Sequence, residues 1–347
     1  MKIFTTGGCG FIGSNFIIDQ ISNHKSTVFN FDKLTYAGNL NNLASIDNSS
    51  NYTFFKGDIC DYELLGKRIF DFNPDFIVHF AAESHVDRSI DNPLEFINTN
   101  IVGTANLLEI SVNYHKTNKY FCFLHVSTDE VYGSLGPKGL FSEDSPYNPN
   151  SPYSASKASS DFLVKSWSNT YKLPTILTNC SNNYGPFQFP EKLIPLLIHN
   201  CLAERSLPVY GDGSNIRDWL YVKDHCRALD LVFRKGQTGE CYNIGGSNEW
   251  RNLDVVHLIC DLLDKELGRS GDASCRKLIT FVKDRPGHDQ RYAIDPRKMR
   301  RELKWSPELD FQAGLLQTIH WYLNNQAWVE QVTSGSYREY YRQQYNV

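Results

Sequence analysis

The N-terminal residues constrain the fold more than any other stretch. An apolar run, Lys2-Ile3-Phe4-Thr5-Thr6, leads directly into Gly7-Gly8-Cys9-Gly10-Phe11-Ile12-Gly13 and an amphipathic segment. Gly8, Gly10 and Gly13 satisfy G-x-G-x-x-G; Gly7, Gly10 and Gly13 satisfy G-x-x-G-x-x-G. In either spacing, glycines let a strand turn tightly into a helix and bring backbone close to a diphosphate at the helix N-terminus. Alone, the spacing also suits an ordinary glycine turn. Here Asp32 closes the next apolar run, about 20 residues on, where a dinucleotide fold places its ribose-binding acid. A carboxylate there repels a 2′-phosphate and so predicts NAD over NADP; Lys33 beside it weakens that preference slightly.

Short apolar runs at 2–6, 27–32, 52–56, 76–80, 121–127 and 175–179 alternate with helical patterns at 11–22, 62–72, 94–114 and 153–171. That rhythm predicts an α/β fold, a Rossmann-type doubly wound parallel sheet with crossover helices. From about Ser181 the rhythm changes: Pro186, Pro190, Pro195 and Pro208 break the chain, yet 240–244 reads as another strand of the first type. The expected organisation is a dinucleotide-binding domain over 1–180, to which segments near 215–245 return, and a smaller, interleaved α/β substrate-binding lobe made mainly of 181–347.

Composition narrows the partners. The 347 residues carry a formal net charge of −4, and no basic run argues for nucleic acid. No apolar stretch approaches the ~18 residues that suggest a membrane span. The glycine loop starts too early for a signal peptide to precede it. Nine cysteines without CxxC or His/Cys ligand spacing read as reduced thiols, so no metal and a cytoplasmic location are expected.

Two further clusters carry chemistry. Ser151-Pro152-Tyr153-Ser154-Ala155-Ser156-Lys157 reads as a capped helix start, with Tyr153 and Lys157 on one face. An ammonium near a phenol lowers its pKa, making a base that takes a hydroxyl proton as hydride leaves. The pair alone also fits an ordinary amphipathic helix; its place behind a nucleotide loop favours catalysis. Upstream, an apolar strand ends in Thr128-Asp129-Glu130. Side chains beyond the carboxyl end of a parallel strand face the ligand, although a polar turn would show the same residues. Neighbouring carboxyls in different surroundings hold different protonation states, so one donates a proton while the other accepts one. A plain dehydrogenase needs neither, and the combination points to elimination of water.

Six segments carry a family resemblance: 32–39 (Asp-Lys-Leu-Thr-Tyr-Ala-Gly-Asn), 81–89 (Ala-Ala-Glu-Ser-His-Val-Asp-Arg-Ser), 127–133, 179–186, 216–222 and 284–289 (Asp-Arg-Pro-Gly-His-Asp). In these the chain resembles the extended short-chain dehydrogenase/reductase superfamily and, within it, the dTDP-glucose 4,6-dehydratase family, from Gly7 to about Tyr322. The resemblance implies that NAD is lined by Phe11 and Ile12, Asp32, Lys33, Leu34 and Thr35, Asp58 and Ile59, Ala81, Ala82 and Ser84, Thr99, Tyr153, Lys157 and Asn183. It implies a sugar-nucleotide site of Ser84, Thr128, Asn182, Lys192, Leu193, Pro208, Val209, Tyr210, Arg217, Asn252, Asp284, Arg285, Pro286, Gly287 and His288, with Arg217 and Arg285 on the diphosphate. The implied reaction converts dTDP-glucose to the 4-keto-6-deoxy sugar. Tyr153 deprotonates the 4-hydroxyl, steadied by Thr128, as hydride passes to tightly held NAD. Glu130 then takes the C5 proton, Asp129 protonates the departing 6-hydroxyl, and hydride returns to C6. Against the family pattern, the stretch between Glu130 and Tyr153 is several residues short, making 133–139 a tight Gly/Pro loop.

Competing readings are a nucleotide-sugar 4-epimerase, which needs the Tyr/Lys pair but not two carboxyls, a 4,6-dehydratase of another nucleotide sugar such as a UDP-sugar, and a noncatalytic NAD sensor. His79, His85, His125 and His225 are expected to be structural, and Cys9 a small space-filler. The stretch 94–114 carries two apolar stripes, Leu94, Ile97, Ile101, Ala105, Leu108 and Val112, and Phe96, Gly103, Leu107 and Ile110. A helix apolar on two sides is buried on two sides. Either both sides are internal, or one covers its own sheet and the other meets a partner together with Phe162, Leu163 and Trp167; the resemblance implies the second, a homodimer through a four-helix interface.

Overall fold

Runs rich in Val, Ile and Phe form the strands, and the longer amphipathic stretches cover them. The computed structural model describes residues 1–284 and 287–334. Its first half runs β1 (Lys2–Thr6), α1 (Phe11–Ser22), β2 (Thr27–Asp32), β3 (Tyr52–Lys56), α2 (Tyr62–Phe72), β4 (Phe76–His79), α3 (Val86–Asp91), α4 (Pro93–Phe96), α5 (Thr104–His115), β5 (Cys122–Thr128), α6 (Pro152–Tyr171) and β6 (Thr175–Cys180). The second half runs β7 (Asn182–Tyr184), α7 (Leu193–Leu202), β8 (Leu207–Tyr210), β9 (Ile216–Tyr221), α8 (Val222–Lys235), β10 (Cys241–Ile244), β11 (Glu249–Arg251), α9 (Asn252–Leu267), β12 (Ile279–Val282), α10 (Arg297–Leu303), α11 (Phe311–Asn324) and α12 (Gln326–Val332).

Seven parallel strands form the main sheet in the order β10-β6-β5-β4-β1-β2-β3. Helices on both faces bury it, so a central strand such as β5 is buried at all seven positions. Strand order reverses between β1 and β4, and ligands bind in the crevice beyond such a switch point. The loops leaving these strands touch: a Cβ on Gly7 (φ +72°) would lie 2.5 Å from the Ala81 nitrogen. The remaining strands make a three-stranded sheet, β11-β9-β7, and a two-stranded one, β12-β8, packed with α7, α9, α11 and α12 around a second core. After β9 the chain returns through α8 to place β10 beside β6 in the main sheet.

The stretch 94–114, expected as one helix, is three: α4, a π-helical segment Ile97–Gly103, and α5. The wider turns have identifiable causes. Asn100 exchanges hydrogen bonds with the Glu83 backbone (2.9 and 3.0 Å) and donates to Ser156 Oγ at 2.8 Å, while its own carbonyl accepts from Thr104 and Ser160 hydroxyls. Such bulges often mark functional sites; this one ties the loop after β4 to α6 and puts Thr99 on the crevice. The same turns rotate the later residues. Leu108 therefore does not continue the outer stripe but is fully buried, whereas Leu94, Ile97 and Val102 are exposed.

Candidate active site

A 290 Å³ cleft occupies the crevice. At one end Gly7, Gly10 and Gly13 bring backbone against it, and a Cβ on Gly13 would strike the Gly7 carbonyl at 2.5 Å. No side chain caps the N-terminus of α1, whose first N–H groups suit a diphosphate. The Asp32 carboxylate is locked: Oδ2 accepts from the Cys9 amide at 2.8 Å and Oδ1 from the Leu34 amide at 2.7 Å. Leu34, expected as a lining residue, instead takes a positive φ of 56° and serves by holding Asp32. Phe11, Ile12, Lys33, Thr35, Asp58, Ile59, Ala81, Ala82, Ser84, Thr99 and Asn183 all line the cleft. Lys33 pairs with Asp58 at 2.8 Å, and His225 fixes Asn183 at 2.9 Å. A glycine cradle, an uncapped helix start and a fixed carboxylate together fit NAD.

At the other end, β5 delivers Thr128, Asp129 and Glu130, and α6 delivers Tyr153 and Lys157, all to the same cleft. Ser151 caps α6 with a capping box, fixing where Tyr153 emerges. The phenol of Tyr153 was expected to be lowered by Lys157; instead burial first, then the Glu130 charge, pushes it well up, and what pulls it down is a hydrogen bond with Thr128. Lys157 Nζ donates to the Val126 carbonyl at 2.9 Å and lies 3.5 Å from His125 Nε2. Burial pulls Lys157 down and the Asp161 carboxylate pushes back. Asp161 sits beneath the lysine, 3.3 Å from His125, and accepts from Ser127, Tyr147 and Asn179. Sequence reasoning missed it, although Tyr153, Lys157 and Asp161 repeat every four residues along one helix face.

The two carboxyl groups differ as their proposed roles require. Asp129 is 1% exposed, and burial, then Glu130 and Asp218, hold its carboxyl well above the usual range; Arg217 opposes them. Its Oδ2 has no hydrogen-bond partner among the described residues. Glu130 is only half-buried. These surroundings favour the neutral form of Asp129. Above the ordinary aspartate pKa of about 3.9 this costs stability increasingly as pH rises. Asp129→Asn, which cannot ionise, is expected to melt higher than wild type at pH 8, with the gap closing toward pH 4. A pH-independent gap in thermal unfolding would contradict this.

The expected sugar-nucleotide residues fall in two groups. Ser84, Thr128, Asn182 and Lys192 line the cleft, and Lys192 Nζ donates to the Ser84 carbonyl at 2.8 Å. Leu193, Pro208, Val209, Tyr210, Arg217, Asn252, Asp284, Gly287 and His288 lie outside its walls. Val209 points into the second core, and Leu193 packs against it. Tyr210 OH reaches Asp87 at 3.5 Å and His288 pairs with Asp284 at 2.6 Å. Arg217 donates to the carbonyls of Ile216 and Asp289 and stacks on Tyr292. Arg285 and Pro286 lie outside the described residues. The cleft also holds Glu83, inside the stretch Ala81 to Ser84 that the resemblance put at NAD, and Gln188 and Glu191, which were not singled out as site residues. Glu191 is a buried carboxylate satisfied by Arg88 and Tyr36; its only sequence signal was its place beside Lys192. The short 133–139 loop is pinned by Arg291, whose Nη1 donates to the carbonyls of Gly136 and Gly139 while Nε and Nη2 pair with both oxygens of Glu249.

The family model described as GDP-mannose 4,6 dehydratase matches residues 4–318. A dTDP-glucose 4,6-dehydratase from Shigella flexneri is 54% identical, with 99% of each chain covered. Among solved structures, a dTDP-glucose 4,6-dehydratase from Bacillus anthracis in complex with NAD superposes with a TM-score of 0.86 at 48% identity, over 96% of this chain and 99% of the other. One from Streptomyces venezuelae, with NAD and TYD bound, gives 0.89 at 44% identity, over 96% of this chain and 100% of the other.

Proposed function

Because the chain belongs to the dTDP-glucose 4,6-dehydratase family of extended short-chain dehydrogenases/reductases, we propose that its cleft dehydrates dTDP-glucose to the 4-keto-6-deoxy sugar with bound NAD. The observation that carries this reading is a buried Asp129, in surroundings that favour its neutral form, beside Glu130 and in one cleft with Tyr153, Lys157 and a dinucleotide loop. A 4-epimerase has no use for the two carboxyls.

This reading assigns a group to each step. Tyr153 takes the proton of the sugar 4-hydroxyl, and Thr128, bonded to that phenol, holds the hydroxyl in line. Lys157 supports the charge on Tyr153. NAD, when bound, would supply the hydride chemistry, acceptance from C4 and return at C6. The 4-ketone acidifies the C5 proton, which the more exposed Glu130 withdraws. Asp129, whose surroundings favour the neutral form, delivers its proton to the departing 6-hydroxyl. This reading gives the diphosphate to Arg217 and the nucleotide to the second lobe; Arg285 lies outside the described residues. Among the described residues no helix is long and apolar enough to cross a membrane, and the nine free thiols suit the reducing cytoplasm.

To test the reading, dTDP-glucose and UDP-glucose are offered separately and 4-keto product is followed. The dTDP sugar is expected to give the higher kcat/KM. A C4 epimer as product, or preference for the UDP sugar, would overturn the assignment.

The chain works as a homodimer in this account. Leu94, Ile97, Val102 and Phe162 lie exposed on α4, the π-helical segment and α6, the arrangement of a four-helix interface. Sedimentation at micromolar protein is expected to show a dimer, and Phe162→Asp to shift it toward monomer, since a buried unpaired charge is costly. A wild-type monomer would refute this.

A further inference from the structure

The C-terminal helix of the described chain reaches back to the dinucleotide loop. Trp328, on α12, packs edge-on against Trp321 (5.1 Å) and Phe187 (6.2 Å) in the core of the second lobe. Its indole Nε1 donates to Asn42 Oδ1 at 2.7 Å. Asn42 Nδ2 donates in turn to the Cys9 carbonyl at 2.9 Å, and the Cys9 amide donates to Asp32 Oδ2 at 2.8 Å. Asn42 is 2% exposed. An indole N–H only donates and a carbonyl only accepts, so the asparagine has one usable orientation and the chain of bonds one direction.

The Cys9 peptide is thus gripped on both sides. Its N–H sits on the carboxylate expected to hold the adenosine ribose; its carbonyl is held by Asn42 and by the Asn39 amide at 3.0 Å. Water has no ready place in this buried series, and a broken link leaves a buried polar atom without a partner. The first link belongs to the substrate lobe and the last to the cofactor site.

We propose that Trp328 is a positioning residue for the cofactor: through Asn42 and the Cys9 peptide it fixes the dinucleotide loop and the Asp32 carboxylate, and so slows loss of NAD. This rests on reading the cleft as an NAD site. It gives the second lobe a direct hold on a cofactor that must stay in place between the two hydride transfers.

The test is exchange of protein-bound NAD against isotope-labelled NAD, with thermal unfolding measured alongside. Trp328→Phe keeps an aromatic ring in the box and removes only the donor. It is expected to exchange NAD about tenfold faster, the effect of stranding one buried acceptor. Trp321→Phe alters the same aromatic box without touching the link and is expected to exchange at the wild-type rate. Asn42→Asp, which cannot donate to Cys9, provides an independent break should Trp328→Phe fold poorly; the double variant is expected to exchange no faster than Asn42→Asp alone. Wild-type exchange in both Trp328→Phe and Asn42→Asp would overturn the proposal. So would equal acceleration by Trp321→Phe, which would mark a merely structural role, or additive effects in the double variant. Wild-type protein that binds no NAD at all would instead overturn the cofactor reading on which the proposal stands.

Discussion

Tyr153→Phe is expected to leave a folded protein with NAD in its cleft and to remove turnover of dTDP-glucose by ~10²–10⁴ in rate. The ring is held by packing, edge-on to Phe96 at 6.3 Å, and the substitution keeps that ring. What disappears is the phenol oxygen, which interacts with Thr128 and on the proposed reading takes the 4-hydroxyl proton. Without that step no ketone forms, the C5 proton stays inert, and neither carboxyl has work to do. The measurement is product formation, with nucleotide content of the purified variant as the control for folding. A wild-type rate would remove Tyr153 from the chemistry.

Glu130→Gln and Asp129→Asn are expected to slow product formation on the same ~10²–10⁴ scale, but at a later point. Glutamine cannot take the C5 proton. Asparagine cannot release one to the 6-hydroxyl. In both, Tyr153 and Lys157 remain, so oxidation at C4 still occurs. Mixing either variant with dTDP-glucose should therefore build up protein-bound absorbance of the reduced dinucleotide, or at least exchange hydride at C4, and Tyr153→Phe should do neither. The two halves of the reaction are separated by residues that lie in one cleft but on different elements, α6 for the oxidation and the end of β5 for the elimination. If both carboxyl variants make product at the wild-type rate, their assignment is wrong.

Much of this was legible in the sequence because it is local. Glycine spacing, Asp32 at a strand end and the Tyr153/Lys157 interval each follow from the geometry of one element. The parallel sheet followed from the alternation of apolar runs, and 240–244 was visible as a strand because its composition matched the first domain. What escaped the sequence depends on contacts between distant segments. The π-helical turns at 97–103 exist because Asn100 binds the Glu83 backbone and Ser156, partners that only the fold brings near. That shift put Leu108 in the core and Val102 on the surface, against the simple helical stripe. Leu34 was expected at the cofactor and instead holds Asp32, because its left-handed backbone turns its amide onto the carboxylate. Asp161 had a signal in the four-residue repeat with Tyr153 and Lys157, but its partners Ser127 and Asn179 and the Trp328–Asn42–Cys9 series join residues far apart in the chain, and no periodicity announces such links.

The central claim is that one hydride leaves C4 and returns to C6 of the same sugar while Glu130 and Asp129 remove water between. It is tested most directly with dTDP-glucose deuterated at C4. The account predicts a 4-keto-6-deoxy product carrying deuterium on its C6 methyl group, with no reduced dinucleotide released into solution. A product without deuterium at C6, or stoichiometric release of deuterated NADH, would contradict it and mark the protein as an ordinary dehydrogenase.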